Sequence, residues 1–211
     1  ICASIMSKKL AEGIDALVLD VKTGSGAFMK SIDDAANLAE LLVETGKRMG
    51  KNVVALITDM NQPLGRKAGN AMEVAESMDV LDGGGPDDLR EFCLELAGRM
   101  FFLGERVKSV AEGKRLSAGL IANGRAREKF REIVRLQGGD VSVVDDPRRL
   151  ARARQTLDVT SAAGGYVDRI QCEELGVAGV VLGGGREKKE DTIDPAVGLE
   201  FHKRIGDKVE L

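Results

Sequence analysis

Residues 4–31 read SIMSKKLAEGIDALVLDVKTGSGAFMKS, and this stretch decides the fold. It predicts a short helix, then a buried strand, then a glycine-rich turn. Ser4 and Lys8 are four residues apart, so a helix places them on one face. Ala16, Leu17, Val18 and Leu19 form a continuous apolar run of strand length, the pattern of a strand covered on both sides. The run ends at Asp20, and GSGA follows at 24–27. In an open α/β sheet, ligands bind beyond the carboxyl ends of the strands. A hydroxyl, an ammonium and a glycine turn therefore fall within one short segment.

Working outward, the next elements complete a βαβ unit. SIDD at 31–34 is a helix start with acidic residues in the first turn. The helix extends to about Met49 on an apolar stripe of Leu38, Leu41, Leu42 and Val43, and Gly50 stops it. NVVALITD at 52–59 is a second buried strand. Two strands joined by a long helix pair parallel through a right-handed crossover. The loop MNQPLG at 60–65 then lies at the same sheet edge as the glycine turn. Residues 69–79 read as a helix, DGGGP at 82–86 as a break, and 87–103, 106–122 and 125–136 as three further helices. From QGGD at 137–140 the character changes, and strand-type segments are expected at 156–162, 165–170, 178–182 and 198–202. RIGDKVE at 204–210 reads as a tight turn between two short strands. The expected fold class is α/β: a mixed or parallel sheet with flanking helices, followed from about residue 144 by a β-rich C-terminal α/β domain of barrel-sandwich type.

Composition narrows the function classes. The 211 residues carry 31 basic and 34 acidic side chains and a net charge of −3, interspersed along the chain. Such a balance gives no basic field, and only 3% of residues are aromatic, so a nucleic-acid partner is not expected. No apolar run approaches the roughly 20 residues that span a bilayer, and no signal peptide is evident, so no membrane partner is expected. Cys2, Cys93 and Cys172 are odd in number and widely spaced. They fit a reducing compartment rather than a disulfide framework or a zinc site. The chain opens at Ile1 inside a predicted helix and closes on KVEL, which reads as an unfinished strand. A piece of a longer protein is the expectation.

Each candidate site residue has a plainer alternative. Ser4 and Lys8 either hydrogen-bond a polar ligand or lie on a solvated helix face, and spacing alone favours the second. The glycine turn either cradles a phosphate with backbone N–H groups or makes a tight strand-to-helix turn. It matches neither the P-loop nor the dinucleotide pattern, and the tight turn is preferred. Phe28 is either core or the apolar wall of a flat ligand site. Asp59 and Glu76, with loop carbonyls, suit a hard cation, but capping and surface charge are the simpler reading. His202, the single histidine, lies far in sequence from these residues and is not taken as a general base.

The same residues resemble those of the pyrimidine-nucleoside phosphorylases, the class that includes thymidine phosphorylase. The resemblance rests on SIMSKKLAEGIDALVLDVKTGSGAFMK at 4–30, ITDMNQPLGRKAGNAMEV at 57–74 and GGDVSVVDD at 138–146. It continues in GYVDRIQ, LGGGREKKEDTIDPAVG and HKRIGDKVE of the tail, so it covers essentially the whole chain. It implies phosphorolysis: phosphate attacks the sugar C1′ and releases the free base and a sugar 1-phosphate. Uridine, thymidine and deoxyuridine are the implied substrates, with phosphate as co-substrate and no organic cofactor. A thymidine-only enzyme is the narrower alternative, and a non-catalytic binding module the alternative of another class.

The resemblance also assigns residues. Ser4 and Lys8 match the base-binding serine and lysine, and Ile1 and Phe28 match apolar residues packed on the ring. A structural cation, monovalent or calcium, is implied at the carbonyls of Leu64 and Lys67 and the carboxylate of Glu76. Lys67 departs from the small residue expected there. Residues 1–13 correspond to one helix of an otherwise missing helical lobe, 14–143 to a partial α/β phosphorylase domain and 144–211 to an incomplete C-terminal domain. The family's phosphate loop, its histidine and its base-binding arginine correspond to positions upstream of Ile1. The resemblance thus implies a cytoplasmic homodimeric enzyme, of which this chain alone is inactive.

Overall fold

The structure is a computed structural model, described here for residues 1–210. The chain divides into two compact units, the first made of Ile1–Asn61 and Glu91–Ala118, the second of Gln62–Arg90 and the residues from Gly119 on.

The first unit is built on the predicted βαβ. Strand β1 (Ala16–Thr23) and strand β2 (Asn52–Asp59) pair parallel from Ala16 opposite Asn52 to Thr23 opposite Asp59. They are joined through helix α2 (Ile32–Arg48). Ser31 caps α2, accepting from the Asp34 N–H at 3.1 Å while its hydroxyl donates to the Asp34 carboxylate at 2.7 Å. Helix α1 (Cys2–Ala11) precedes β1, and its Met6 is buried with Val21, Ala35, Ala39 and Leu42 in one core cluster. Gly46 of α2 is a packing glycine, since a Cβ there would overlap the side chain of Val53.

The strands are not covered evenly on both sides. Val21 and Thr23 of β1 are buried, whereas Asp20 just before them is exposed and Lys22 between them only half-buried. On that opposite face Lys22 Nζ meets Asp20 Oδ2 at 2.8 Å and donates to Thr58 Oγ1 at 3.0 Å, and the Thr58 hydroxyl donates to Asp20. The Lys22 ammonium also lies 4.3 Å from the centroid of the Phe92 ring. The four-residue apolar run therefore overstates the dryness of the strand, because the polar alternation begins just after it.

Phe92 belongs to helix α4 (Asp87–Leu103), whose partner is helix α5 (Val110–Ala122). The two cross closely at glycines: a Cβ on Gly113 would overlap the carbonyl oxygen of Gly98 and lie 2.9 Å from its Cα. Glu95 flanks the crossing, 2.9 Å from Lys114 Nζ and 2.7 Å from Arg99. The Lys114 hydrogen bond holds the Glu95 carboxyl below its ordinary range, and the same bond raises the Lys114 ammonium. Helix α5 begins at Val110 rather than at the expected 106, because Ser109 and Glu112 cap it there. The Glu112 N–H donates to Ser109 Oγ at 3.2 Å and the Glu112 carboxylate accepts from the Lys108 N–H at 2.9 Å.

The second unit holds strand β3 (Lys67–Ala68), helix α3 (Asn70–Leu81), helix α6 (Arg125–Leu136), the short helix α7 (Ser142–Asp145) and a 3-10 turn at Pro147–Arg149. Val144 of α7 is fully buried, and Arg127 of α6 donates to its carbonyl at 2.5 Å while pairing with Asp82 at 2.9 Å. Beyond these come strand β4 (Gly165–Tyr166), helix α8 (Cys172–Val181), strand β5 (Leu199–Glu200) and strand β6 (Lys208–Val209). Strand β3 pairs antiparallel with β5, and β4 with β6.

Two tail expectations are corrected. Residues 156–162 form no strand and are exposed throughout. Residues 178–182 are not a strand, since most of that run lies in α8; a short apolar run does not separate helix from strand, and here Glu173 and Glu174 start a helix that Gly183 ends at φ 95°. The tight turn expected within 204–210 lies between the short strands β5 and β6, which pair with β3 and β4. No helix of the described residues is long and apolar enough to cross a membrane.

Candidate functional site

Ser4 and Lys8 lie one turn apart on α1 and both are exposed. Neither the Ser4 hydroxyl nor the Lys8 ammonium has a hydrogen-bond partner among the described residues. Ile1 caps the same helix and is 58% exposed. The helix is anchored from its other face by Met6, and Met29, Cys2 and Ile5 pack on the same cluster as Met6 and Val21. That cluster ties the helix bearing Ser4 and Lys8 to the turn bearing Phe28, which adjoins Met29.

The glycine turn is fixed by its own amides. Gly24 N–H donates to Met29 O at 3.1 Å, Gly26 N–H to Met60 O at 2.9 Å and Ala27 N–H to Gly24 O at 3.1 Å. Ser25 N–H donates to the side chain of Asn61 at 3.0 Å. All four donors that a phosphate would need are therefore engaged, so the turn is a tight strand-to-helix connection and not a phosphate cradle. Its product is an aromatic on a rigid base: Phe28 is 81% exposed and is not core. A hydroxyl and an ammonium with open donors, on a helix that shares a core cluster with the turn carrying an exposed aromatic, suit a flat ligand with acceptor oxygens on its edge.

Asp59 and Glu76 behave differently from each other. The Asp59 carboxylate accepts from the Asn61 N–H at 3.2 Å and from its amide at 2.5 Å, closing an Asx turn at the end of β2. Glu76 is not surface charge: it is 4% exposed and accepts the Arg66 N–H at 3.0 Å and 3.2 Å. Its carboxylate lies against the bare Cα of Gly65, at φ 74°. Half-buried Leu64 and Lys67 flank this segment. Among the described residues no group of three or more His, Cys, Asp or Glu side chains could hold a metal. A buried carboxylate beside the 64–67 loop would suit a hard cation, with the remaining ligands left to backbone carbonyls.

Sequence reading missed two side chains here. Asn61 is one. Arg204 is the other, donating to the carbonyls of Pro63, at 2.6 Å, and Gly65 and pairing with Asp88. Ile205 N–H adds a bond to Gln62 Oε1 at 3.0 Å. The Asn two positions after a strand-end Asp was a local signal for the first. Arg204 had none, since its partners lie far away in sequence.

A parallel βαβ unit with a glycine turn past its first strand defines an α/β domain, the class of fold that binds ligands beyond its strand ends. The chain belongs to the glycosyl transferase family: the family model described as "Glycosyl transferase family, a/b domain" matches residues 2–127. A second model, "Pyrimidine nucleoside phosphorylase C-terminal domain", matches residues 166–211. Among curated proteins, the chain is 49% identical over 210 residues to a pyrimidine-nucleoside phosphorylase of Bacillus subtilis (strain 168). It is equally similar, 49% over 210 residues, to one of Staphylococcus aureus (strain USA300). All of this chain is covered but only 48% of either relative, so it spans about half the length of the curated relatives it matches.

Proposed function

We propose that this chain supplies part of the pyrimidine site of an enzyme that cleaves pyrimidine nucleosides with phosphate. The observation that carries the proposal is the pair of open donors, Ser4 and Lys8, one turn apart and tied through the Met6 cluster to the exposed Phe28. Relatives named for this activity across the whole chain support it.

In the reaction a phosphate oxygen bonds to the sugar C1′ as the bond from C1′ to the ring nitrogen breaks. The electron pair of that bond passes to the base, which leaves as an anion and takes a proton. Negative charge therefore grows on the ring and its oxygens in the transition state. An ammonium and a hydroxyl at the ring's polar edge stabilise that charge more than they stabilise the ground state, which is what raises the rate. Phe28 and Ile1 hold the apolar face of the ring. Products are free base and ribose or deoxyribose 1-phosphate, with no covalent intermediate on the protein and no organic cofactor. A structural cation, monovalent or calcium, sits on Glu76 and the Leu64 and Lys67 carbonyls. The complete enzyme is a cytoplasmic homodimer, in keeping with the family resemblance and with three cysteines that form no disulfide among the described residues.

The test is a chimera in which this chain replaces the matching segment of the Bacillus subtilis relative, assayed for phosphate-dependent release of base. Turnover of uridine, deoxyuridine and thymidine is expected, and Lys8→Ala should lower kcat/KM by about 100-fold or more, as for loss of one charge-stabilising donor. Turnover of thymidine alone assigns the narrower enzyme. A folded, dimeric chimera without turnover overturns the proposal.

A further inference from the structure

We propose that Asn61 is a positioning residue for the pyrimidine site: its side chain, held by Asp59, fixes the 24–29 turn and so the placement of Phe28. The inference rests on the reading of Phe28 as the ring-packing residue.

The orientation of the Asn61 amide is set by its neighbours. The Ser25 N–H can only donate, so Asn61 Oδ1 faces it, at 3.0 Å. The Asp59 carboxylate can only accept, so Asn61 Nδ2 faces it, at 2.5 Å. The Asn61 N–H also donates to Asp59, at 3.2 Å, which fixes the backbone from which the side chain reaches. Gly24 completes the fit. It sits at φ 119°, and a Cβ there would be 2.7 Å from Asn61 Oδ1 and 2.9 Å from Asn61 N. The turn thus presses its bare Cα on the amide that holds its next N–H.

Asn61 is one side chain that anchors this turn; another is Lys30, whose ammonium donates to the Ser25 carbonyl at 2.9 Å and leaves the Ser25 N–H to Asn61. The N–H groups of Gly24, Gly26 and Ala27 bond to backbone carbonyls, and Met60 N–H bonds to Thr23 O at 2.7 Å. These survive in Asn61→Ala, so the turn persists but loses the side-chain prop under Ser25. Alanine deletes both amide groups. Aspartate would keep the acceptor for Ser25 but set a second carboxylate against Asp59. Asparagine alone serves a donor on one side and an acceptor on the other.

The test pairs a structural and a kinetic readout. In the 211-residue chain, Asn61→Ala should speed hydrogen exchange at the Ser25 amide about tenfold, the factor of one lost hydrogen bond, and leave Gly26 unchanged. In the chimera with the Bacillus subtilis relative, the same change should raise the nucleoside KM about tenfold with the phosphate KM unaltered. Phe28→Ala is the companion variant. If Phe28→Ala raises the nucleoside KM and Asn61→Ala does not, the positioning role is overturned and the reading of Phe28 stands. If Phe28→Ala leaves that KM unaltered, the reading of Phe28 falls, and the positioning role with it. An equal rise in both KM values in Asn61→Ala, or unaltered Ser25 exchange, also overturns the role, because a merely structural defect would not single out the nucleoside.

Discussion

Glu76 shows how one buried side chain can report on a ligand. A carboxylate at 4% exposure carries a large desolvation cost unless it is hydrogen-bonded or paired with a cation. The structure gives it the Arg66 N–H, shared between both oxygens, and the bare Cα of Gly65. If a hard cation shares the site, the native state alone binds it, and mass action raises stability by about 2.7 kcal/mol at a hundredfold excess over Kd. Calcium or potassium added to the chain should therefore raise its melting temperature by several degrees. Glu76→Gln keeps an acceptor for Arg66 but removes the charge, and it should abolish the rise. An equal rise in Glu76→Gln would move the cation elsewhere. Spacing alone favoured capping or surface charge for Glu76, and only the family resemblance made it a cation ligand, because an acidic residue in a helix is exposed by default and its burial depends on the 64–66 loop. The shared face of Ser4 and Lys8 was legible for the opposite reason, since it needs only the helical repeat; their role as base-binding residues came from the family resemblance. Asn61 fell between these cases, since a loop asparagine after a strand-end aspartate signals a turn but not which N–H its free oxygen will meet.

Among the elements, local pattern sufficed wherever an element was long. Strand β2 matches its expected span, and α2, α4 and α6 lie within a residue of theirs or on it, because caps and periodicity agree. The failures are short. Strands of two residues, such as β4, β5 and β6, leave no period to read, and their partners come from distant segments. Residues 178–182 read as a strand because Val180 and Val181 are β-branched and a short apolar run does not separate the two states. The crossing of α4 and α5 is another feature no pattern announced: Gly98 and Gly113 are poor helix residues whose purpose appears only when the helices meet. Replacing Gly113 with alanine improves helix propensity by about 1 kcal/mol, yet its Cβ would overlap the Gly98 carbonyl. Overpacking at such a contact costs about 1–3 kcal/mol, so packing wins. Gly113→Ala should lower the urea midpoint of the chain. A raised midpoint would show that the two helices separate at small cost.

At the scale of the whole molecule, the division of labour within the chain predicts what it can do alone. The base side of the proposed site is present: two open donors on α1 and a rigid Phe28 past β1. The glycine turn at 24–27 has its amides committed to Met29, Met60, Gly24 and Asn61. The proposed function therefore does not place phosphate on that turn. A pyrimidine held on one face and one edge, with no second substrate fixed beside it, gains neither orientation nor full charge stabilisation. The isolated chain should bind uracil with a Kd of about 1 mM or weaker, equivalent to some 4 kcal/mol, and release no base from uridine in phosphate buffer. Line broadening of the uracil ring protons should follow the binding, and Lys8→Ala should remove it. Phosphorolysis by the isolated chain would place a phosphate site within these 211 residues and overturn the division drawn here.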